Sequence, residues 1–290
     1  MNIIFNIQGG LGKSIMATAV CKAIKKQHPE AFLIVVTGYK DVFLNNPHVN
    51  KVLQHQEQVG IYKKFIKNID TKFFTIDPYL TSEFLNEDGH LIEIWCDLFG
   101  IKYNGEMPEF FLSKAEKQFY KQVYKFDKPI LAIQTNGGGA NQGTTYNWAR
   151  DIPEPIMLKL IEKLKKRYTI VHIKRPDQPA FPDTLQALDG FRSIAYLISQ
   201  ADKCLFIDSF AQHLAVAMDK PAVVCWVTTN PEVFGYEMHD NIEASDFTKE
   251  SVYDHAHYSP FALVEMIHTI PYNDLNEIFN VNSLYNKLKQ

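Results

Sequence analysis

The chain has no excess of positive charge: 30 lysines and arginines stand against 33 aspartates and glutamates over 290 residues, a formal net charge of −3. That excludes the global basic field that dominates nucleic-acid affinity, so a nucleic-acid partner is allowed but not favoured. Cysteine is scarce. Cys21, Cys96, Cys204 and Cys225 stand singly in apolar surroundings without the paired spacing of a metal site, and read as buried thiols of a reducing compartment, the cytoplasm. Long apolar runs are missing as well, none approaching the roughly 20 residues that span a bilayer. Met1 leads straight into NIIFNI rather than into a charged signal-peptide start, so neither membrane insertion nor export is expected. There is no low-complexity tract.

What the chain does have is an ordinary globular share of hydrophobic residues, 46%, with 20 phenylalanines and 14 tyrosines to fill a core or line a binding cleft. Strand-like runs alternate with helical spacing: IIFNI, a helix from about Lys13, FLIVVT, KVLQ and KFFTI in the first half. After helices in 90–125 and the polar turn KFDKP the alternation restarts. ILAIQT, a helix from Pro155 to about Lys166, YTIVHI, a helix over 193–200 and KCLFID follow one another. This order predicts parallel sheets in an α/β protein. The expected division is 1–127, 128–270 and a C-terminal helix over 271–290 that packs back on the body.

Each half opens with a strand running into a glycine-rich loop, NIQGGLGKS and AIQTNGGG. Ligands of parallel α/β sheets bind outside the carboxyl ends of the strands, where such loops sit. Gly9, Gly10, Gly12 and Ser14 offer backbone amides and a helix start to a phosphate or acceptor. A Walker A loop would need glycine where Ile7 stands, and a deviant Walker loop a lysine at Gln8, so a P-loop NTPase is the weaker reading. In the second half Asp208 ends an apolar strand, Ser209 is placed to cap the next helix, and His213 lies one turn in, where it can reach a phosphate oxygen or a sugar. The stretch Ile207 to Trp226 is predicted as strand, helix and strand.

The ordered set GGLGKSIMATAV, HPEA, FLIVVT and NPHVNKVL resembles the N-terminal domain of the ADP-heptose:lipopolysaccharide heptosyltransferases, glycosyltransferase family 9. IDSFAQHLAVAMDKPAVVCWVTTNPEVFGY is similar to that family's nucleotide-sugar site. The resemblance implies the GT-B fold, two Rossmann-like domains with parallel sheets facing a central cleft. It implies inverting, metal-independent transfer of a sugar from a nucleoside diphosphate to a hydroxyl, with no further cofactor. Thr135, Asn136, Gly137, Arg150, Lys174, Arg175, Asp208, Ser209, His213, Asn230 and Tyr236 would hold the donor.

Two departures bear on the chemistry. Phe210 replaces a glycine of the family motif, and Lys13 stands where the family has the aspartate assigned as base. A protonated lysine accepts no proton but can neutralise phosphate. Asp77, closing the strand-like KFFTI, is the substitute base. Tyr146 stands in place of the lysine before Trp148, and Arg150 can supply that charge. The acceptor is expected to be a glycan. A hydroxymethylated DNA base is the other acceptor considered, with Lys40, Lys63, Lys64 and Lys67 as a sparse basic rim. A non-catalytic sugar-nucleotide-binding protein is the remaining alternative. The pair His255 and His257 beside Tyr258 lacks further ligands for a metal.

Overall fold

The computed structural model describes residues 1–56, 59–137, 150–176, 178, 180–187, 190–245 and 274–290. The chain divides into two compact units, Met1–Ser113 and Lys114–Gln290. In the first, the elements are β1 (Asn2–Ile7), α1 (Leu11–Gln27), β2 (Phe32–Thr37), β3 (Lys51–Gln54), β4 (Thr71–Phe74), α2 (Ser82–Leu85) and α3 (Leu91–Leu98). The second contains α4 (Lys114–Val123), β5 (Ile130–Ile133), α5 (Glu154–Leu164), β6 (Thr169–His172), β7 (Leu185–Gln186) and α6 (Phe191–Gln200). It continues with β8 (Lys203–Ile207), α7 (Phe210–Ala217), β9 (Val223–Trp226), α8 (Pro231–Phe234), β10 (Asp240–Glu243) and α9 (Val281–Lys289).

Both sheets are parallel. Their strand orders are β3-β2-β1-β4 and β10-β9-β8-β5-β6-β7. Each first strand is therefore central, with later strands laid down first on one side and then on the other. That reversal makes a switch point between β1 and β4 in the first unit and between β5 and β8 in the second. At such a point the loops leave in opposite directions and open a crevice at the strand ends.

Pleat alternation sorts the core of the first unit. Ile4, Ile34 and Val36 face one side, covered by Leu53, Ile61, Phe65 and Ile66. On the other side Phe5 meets Trp95 and Phe99 edge-on at 5.2 and 5.7 Å, and Phe74 stacks on Phe99 at 4.4 Å. In the second unit Leu131, Ile133, Leu205 and Ile207 meet Ile156, Leu160 and Leu164 of α5 and Leu284 and Leu288 of α9.

The boundary falls ahead of the expected Asp127 turn. α4 is fastened to α6, where Glu116 pairs with Arg192 and Tyr120 lies 5.5 Å from Tyr196. At the other end, the helical spacing of Leu275, Ile278 and Phe279 is not helix; turns occupy 275–279 and α9 begins only after Asn280, whose side chain accepts from Ser283 N at 3.0 Å. Ile278 and Phe279 are buried nonetheless. All four cysteines are buried free thiols. Among the described residues no helix is long and apolar enough to cross a membrane.

Candidate active site

In the first unit β1 ends in Gly9 and Gly10 before α1. Gly9 takes φ +97°, a left-handed conformation, and a Cβ there would lie 3.1 Å from Lys13 Cδ. Gly10 is the N-cap of α1, without side-chain cap or first-turn acid. Lys13 folds back against this loop, its Nζ 3.8 Å from the Cβ position of Gly9. Its ammonium is ion-paired with Asp77, lies 4.1 Å from the Tyr79 ring centroid and 5.6 Å from that of Trp95, and its side chain is only 4% exposed. Burial pulls its pKa below the ordinary lysine value, with the Asp77 hydrogen bond and charge opposing.

Asp77 follows β4 and caps the turn 78–80, accepting from Tyr79 N at 3.0 Å. Lys13 and Asp77 thus bridge the β1/β4 switch point across 64 residues of sequence. Ser14 is buried, 3.3 Å from the Thr37 hydroxyl. Beside this pair, an open cavity of about 710 Å³ is lined by Asn6, Gln8, Gly9, Gly38, Tyr39 and His55.

In the second unit Thr135, Asn136 and Gly137 leave β5. Asp151, which the sequence reading passed over, ties them down: its carboxylate accepts from Gly137 N at 2.7 Å and from Asn136 Nδ2 at 3.0 Å. Arg175 Nη1 and Gln178 Nε2 each donate to Gly137 O at 3.4 Å. Lys174 is spent inside its own turn, on the carbonyls of Arg175 and Gln178. Arg150 reaches Asp208 at 3.5 Å, joining this loop to the start of α7. Beneath them His172 is buried; burial, with the charge of Lys174, lowers its pKa to about 4. Gly138, Gly139, Tyr146 and Trp148, like His255, His257 and Tyr258, lie outside the described residues.

Ser209 does occupy the N-cap position of α7, but its side chain makes no capping bond. Gln134, another residue not anticipated, caps in its place. Its carbonyl accepts from Ala211 N at 3.3 Å and its amide donates to Ser209 Oγ at 3.2 Å. Gln134 and Ser209 meet because β5 and β8 are neighbours in the sheet, a relation absent from local sequence.

His213 is 3% exposed and hydrogen-bonds Tyr236 at 2.9 Å; Tyr236 is 4% exposed. Both expected donor ligands are thus buried against each other. Asn230 accepts from Glu232 N at 2.8 Å and caps α8. Beside Tyr236, His239 accepts from Ala222 N at Nδ1 and so donates from Nε2 to the Gln212 carbonyl, a neutral tautomer in keeping with its burial-lowered pKa. The structure therefore gathers Thr135, Asn136, Gly137, Arg150, Arg175, Asp208 and Ser209 at the β5/β8 switch point, while Lys174 bonds within its own turn, His213 bonds Tyr236 and Asn230 caps α8.

No family model and no curated protein matches the sequence. Solved structures do match. The Escherichia coli ADP-heptose lipopolysaccharide heptosyltransferase II superposes with a TM-score of 0.64 at 13% identity over 84% of this chain and 90% of its own. A family 9 glycosyltransferase from Veillonella parvula gives 0.68 at 11% identity, over 98% and 95%. The chain has the fold of the family 9 glycosyltransferases. A third structure, the dodecameric iron-containing heptosyltransferase TibC of enterotoxigenic E. coli in complex with ADP-D-β-D-heptose, gives 0.66 at 13% identity, over 99% of this chain and 76% of its own. On this fold the parallel units and their switch-point loops are accounted for. Among the described residues no group of three or more His, Cys, Asp or Glu side chains is arranged to hold a metal ion.

Proposed function

We propose that the chain transfers a sugar from a nucleoside diphosphate sugar to a hydroxyl acceptor, the second unit holding the donor and the first supplying the base. The observation that carries this reading is that the candidate residues of each unit converge on the switch point of its own sheet, Lys13 with Asp77 and the Thr135–Gly137 loop with Asp208. Arg150, Arg175 and the first-turn amides of α7 suit a departing diphosphate. Asp208 and Asn136 suit sugar hydroxyls.

Asp77 is the base in this reading. Among the described residues its hydrogen bonds fall on Oδ1, from Lys13 and from Tyr79 N, which leaves Oδ2 for the acceptor proton. Lys13 holds that carboxylate in place. Direct displacement by the deprotonated hydroxyl inverts the anomeric carbon, and the side chains named supply the positive charge without a metal. A hydroxyl-rich glycan is the acceptor favoured. Lys63, Lys64 and Lys67 are exposed, but three lysines make a narrow footprint for duplex DNA. The NTPase reading is disfavoured because Ile7 stands where a Walker A loop needs glycine and the Lys13 ammonium is already ion-paired with Asp77.

Nucleoside diphosphate release, measured over ADP, UDP and GDP sugars, tests the proposal. ADP sugars come first because related folds were solved with ADP and ADP-heptose. Release with at least one donor is expected, unaffected by EDTA and lost in Asp77→Asn, while nucleotide binding survives that substitution. Binding without release from any donor and acceptor pair would instead favour the non-catalytic sugar-nucleotide-binding reading, and full activity of Asp77→Asn would remove Asp77 as the base.

A further inference from the structure

The cavity of about 710 Å³ in the first unit is lined by Asn6 in β1, Gln8 and Gly9 after it, Gly38 and Tyr39 after β2, and His55 after β3. Its volume is that of a small-molecule site. Asn6 lies beside Val36 in the parallel register, and Val36 beside Leu53. On that face Ile4, Ile34 and Val36 are covered by Ile61, Phe65 and Ile66, while Asn6, next in the alternation after Ile4, opens into the cavity. The side chains of Asn6, Gln8, Tyr39 and His55 have no hydrogen-bond, ion-pair or ring partner among the described residues, and Tyr39 is 39% exposed.

None of the six lining residues is a lysine, arginine, aspartate or glutamate. Lys13 and Asp77, on the far side of Gly9, are committed to each other. An anionic group entering here would give up water with no cation to replace it. A hydroxyl is donor and acceptor at once, and so is each carboxamide; an aromatic ring packs against the C–H face of a sugar. We infer that this cavity binds an uncharged saccharide, with Asn6 and Gln8 reading its hydroxyls and Tyr39 lying against its ring. That the saccharide is the acceptor rests on the transferase reading above; that it binds does not.

The test is saturation-transfer NMR titration of the full chain with the methyl glycosides of glucose, galactose and mannose, and with glucuronate, galacturonate and mannose 6-phosphate. Wild type is expected to bind at least one methyl glycoside, and to bind it more tightly than its charged counterpart. Tyr39→Ala should weaken that binding about fivefold or more, and Tyr39→Phe, which keeps the ring, no more than about twofold. Gln8→Lys, at an exposed position, should move the preference toward the charged counterpart at least about threefold. No binding of any methyl glycoside, a wild-type preference for the charged counterpart, or a preference unmoved by Gln8→Lys would each overturn the inference. So would a folded Tyr39→Ala chain that binds like wild type; should that variant not fold, Gln8→Lys decides alone. Saccharide binding that responds as expected, with no nucleoside diphosphate released from any donor, would instead overturn the transferase reading and leave the saccharide site standing.

Discussion

Lys13 is a cation with little water around it, and two aromatic faces and one carboxylate replace the lost hydration. Removing the carboxylate strands the charge, whereas removing the charge leaves Asp77, 24% exposed at its side chain, able to turn to water. Asp77→Asn is therefore expected to cost about 2 kcal/mol of stability and Lys13→Met clearly less, with the double variant close to Lys13→Met. Urea denaturation of the three decides it, and additive costs would show the pair to be uncoupled. His172 carries a separate pH effect. Its folded pKa of about 4 lies below the ordinary 6.5, so between these values the unfolded chain binds more protons and stability rises with pH. The loss on acidification through that window is on the order of 3 kcal/mol. His172→Gln, still able to donate toward Thr135, should melt with a flatter dependence between pH 7 and pH 4.5; an unchanged dependence would discard the assignment. The places of Asp208 and the glycines at strand ends were legible because a strand end followed by a helix start is a local pattern. Asp151 and Gln134 were not, since their partners are set by loop return and strand adjacency.

The turn from β1 into α1 shows how differently two adjacent glycines are used. Gly9 has φ +97° and a Cβ position 3.1 Å from Lys13 Cδ, whereas Gly10 is extended at φ −81° with nothing within 4 Å of its Cβ position. Sequence alone assigned both to one phosphate loop; the backbone separates them, because only Gly9 needs the left-handed region. Gly9→Ala is expected to cost about 1–3 kcal/mol and to displace Lys13, while Gly10→Ala should be near neutral for folding. Thermal melting of the two variants tests this, and equal losses would contradict it. Helices with clear spacing, α1, α5 and α6, were legible to within a few residues. α9 was legible only in part: Ile278 and Phe279 carry apolar spacing because they enter the core, and a core-facing turn imitates a helix face.

Across the whole molecule, each unit closes its own core and carries its own switch point, so the two candidate half-sites are separable in principle. Leu131, Ile133, Leu205 and Ile207 are covered by α5 and α9, all within Lys114–Gln290, and the donor residues Thr135 to Gly137, Arg150, Asp208 and Ser209 belong to the same unit. Parallel α/β order was readable from alternating strands and helices, but the place of the boundary was not, because the Glu116–Arg192 pair that draws α4 into the second unit joins residues 76 apart. A chain of Lys114–Gln290 is accordingly expected to fold cooperatively and to bind the nucleoside diphosphate within about tenfold of the full chain's affinity. It should release none from a sugar donor in the presence of acceptor, since Asp77 and Lys13 are missing. Circular dichroism on melting, calorimetric titration and the release assay measure the three properties on one preparation. A folded fragment that binds no nucleotide would place part of the donor site in Met1–Ser113, and transfer by the fragment would take the base out of that unit altogether.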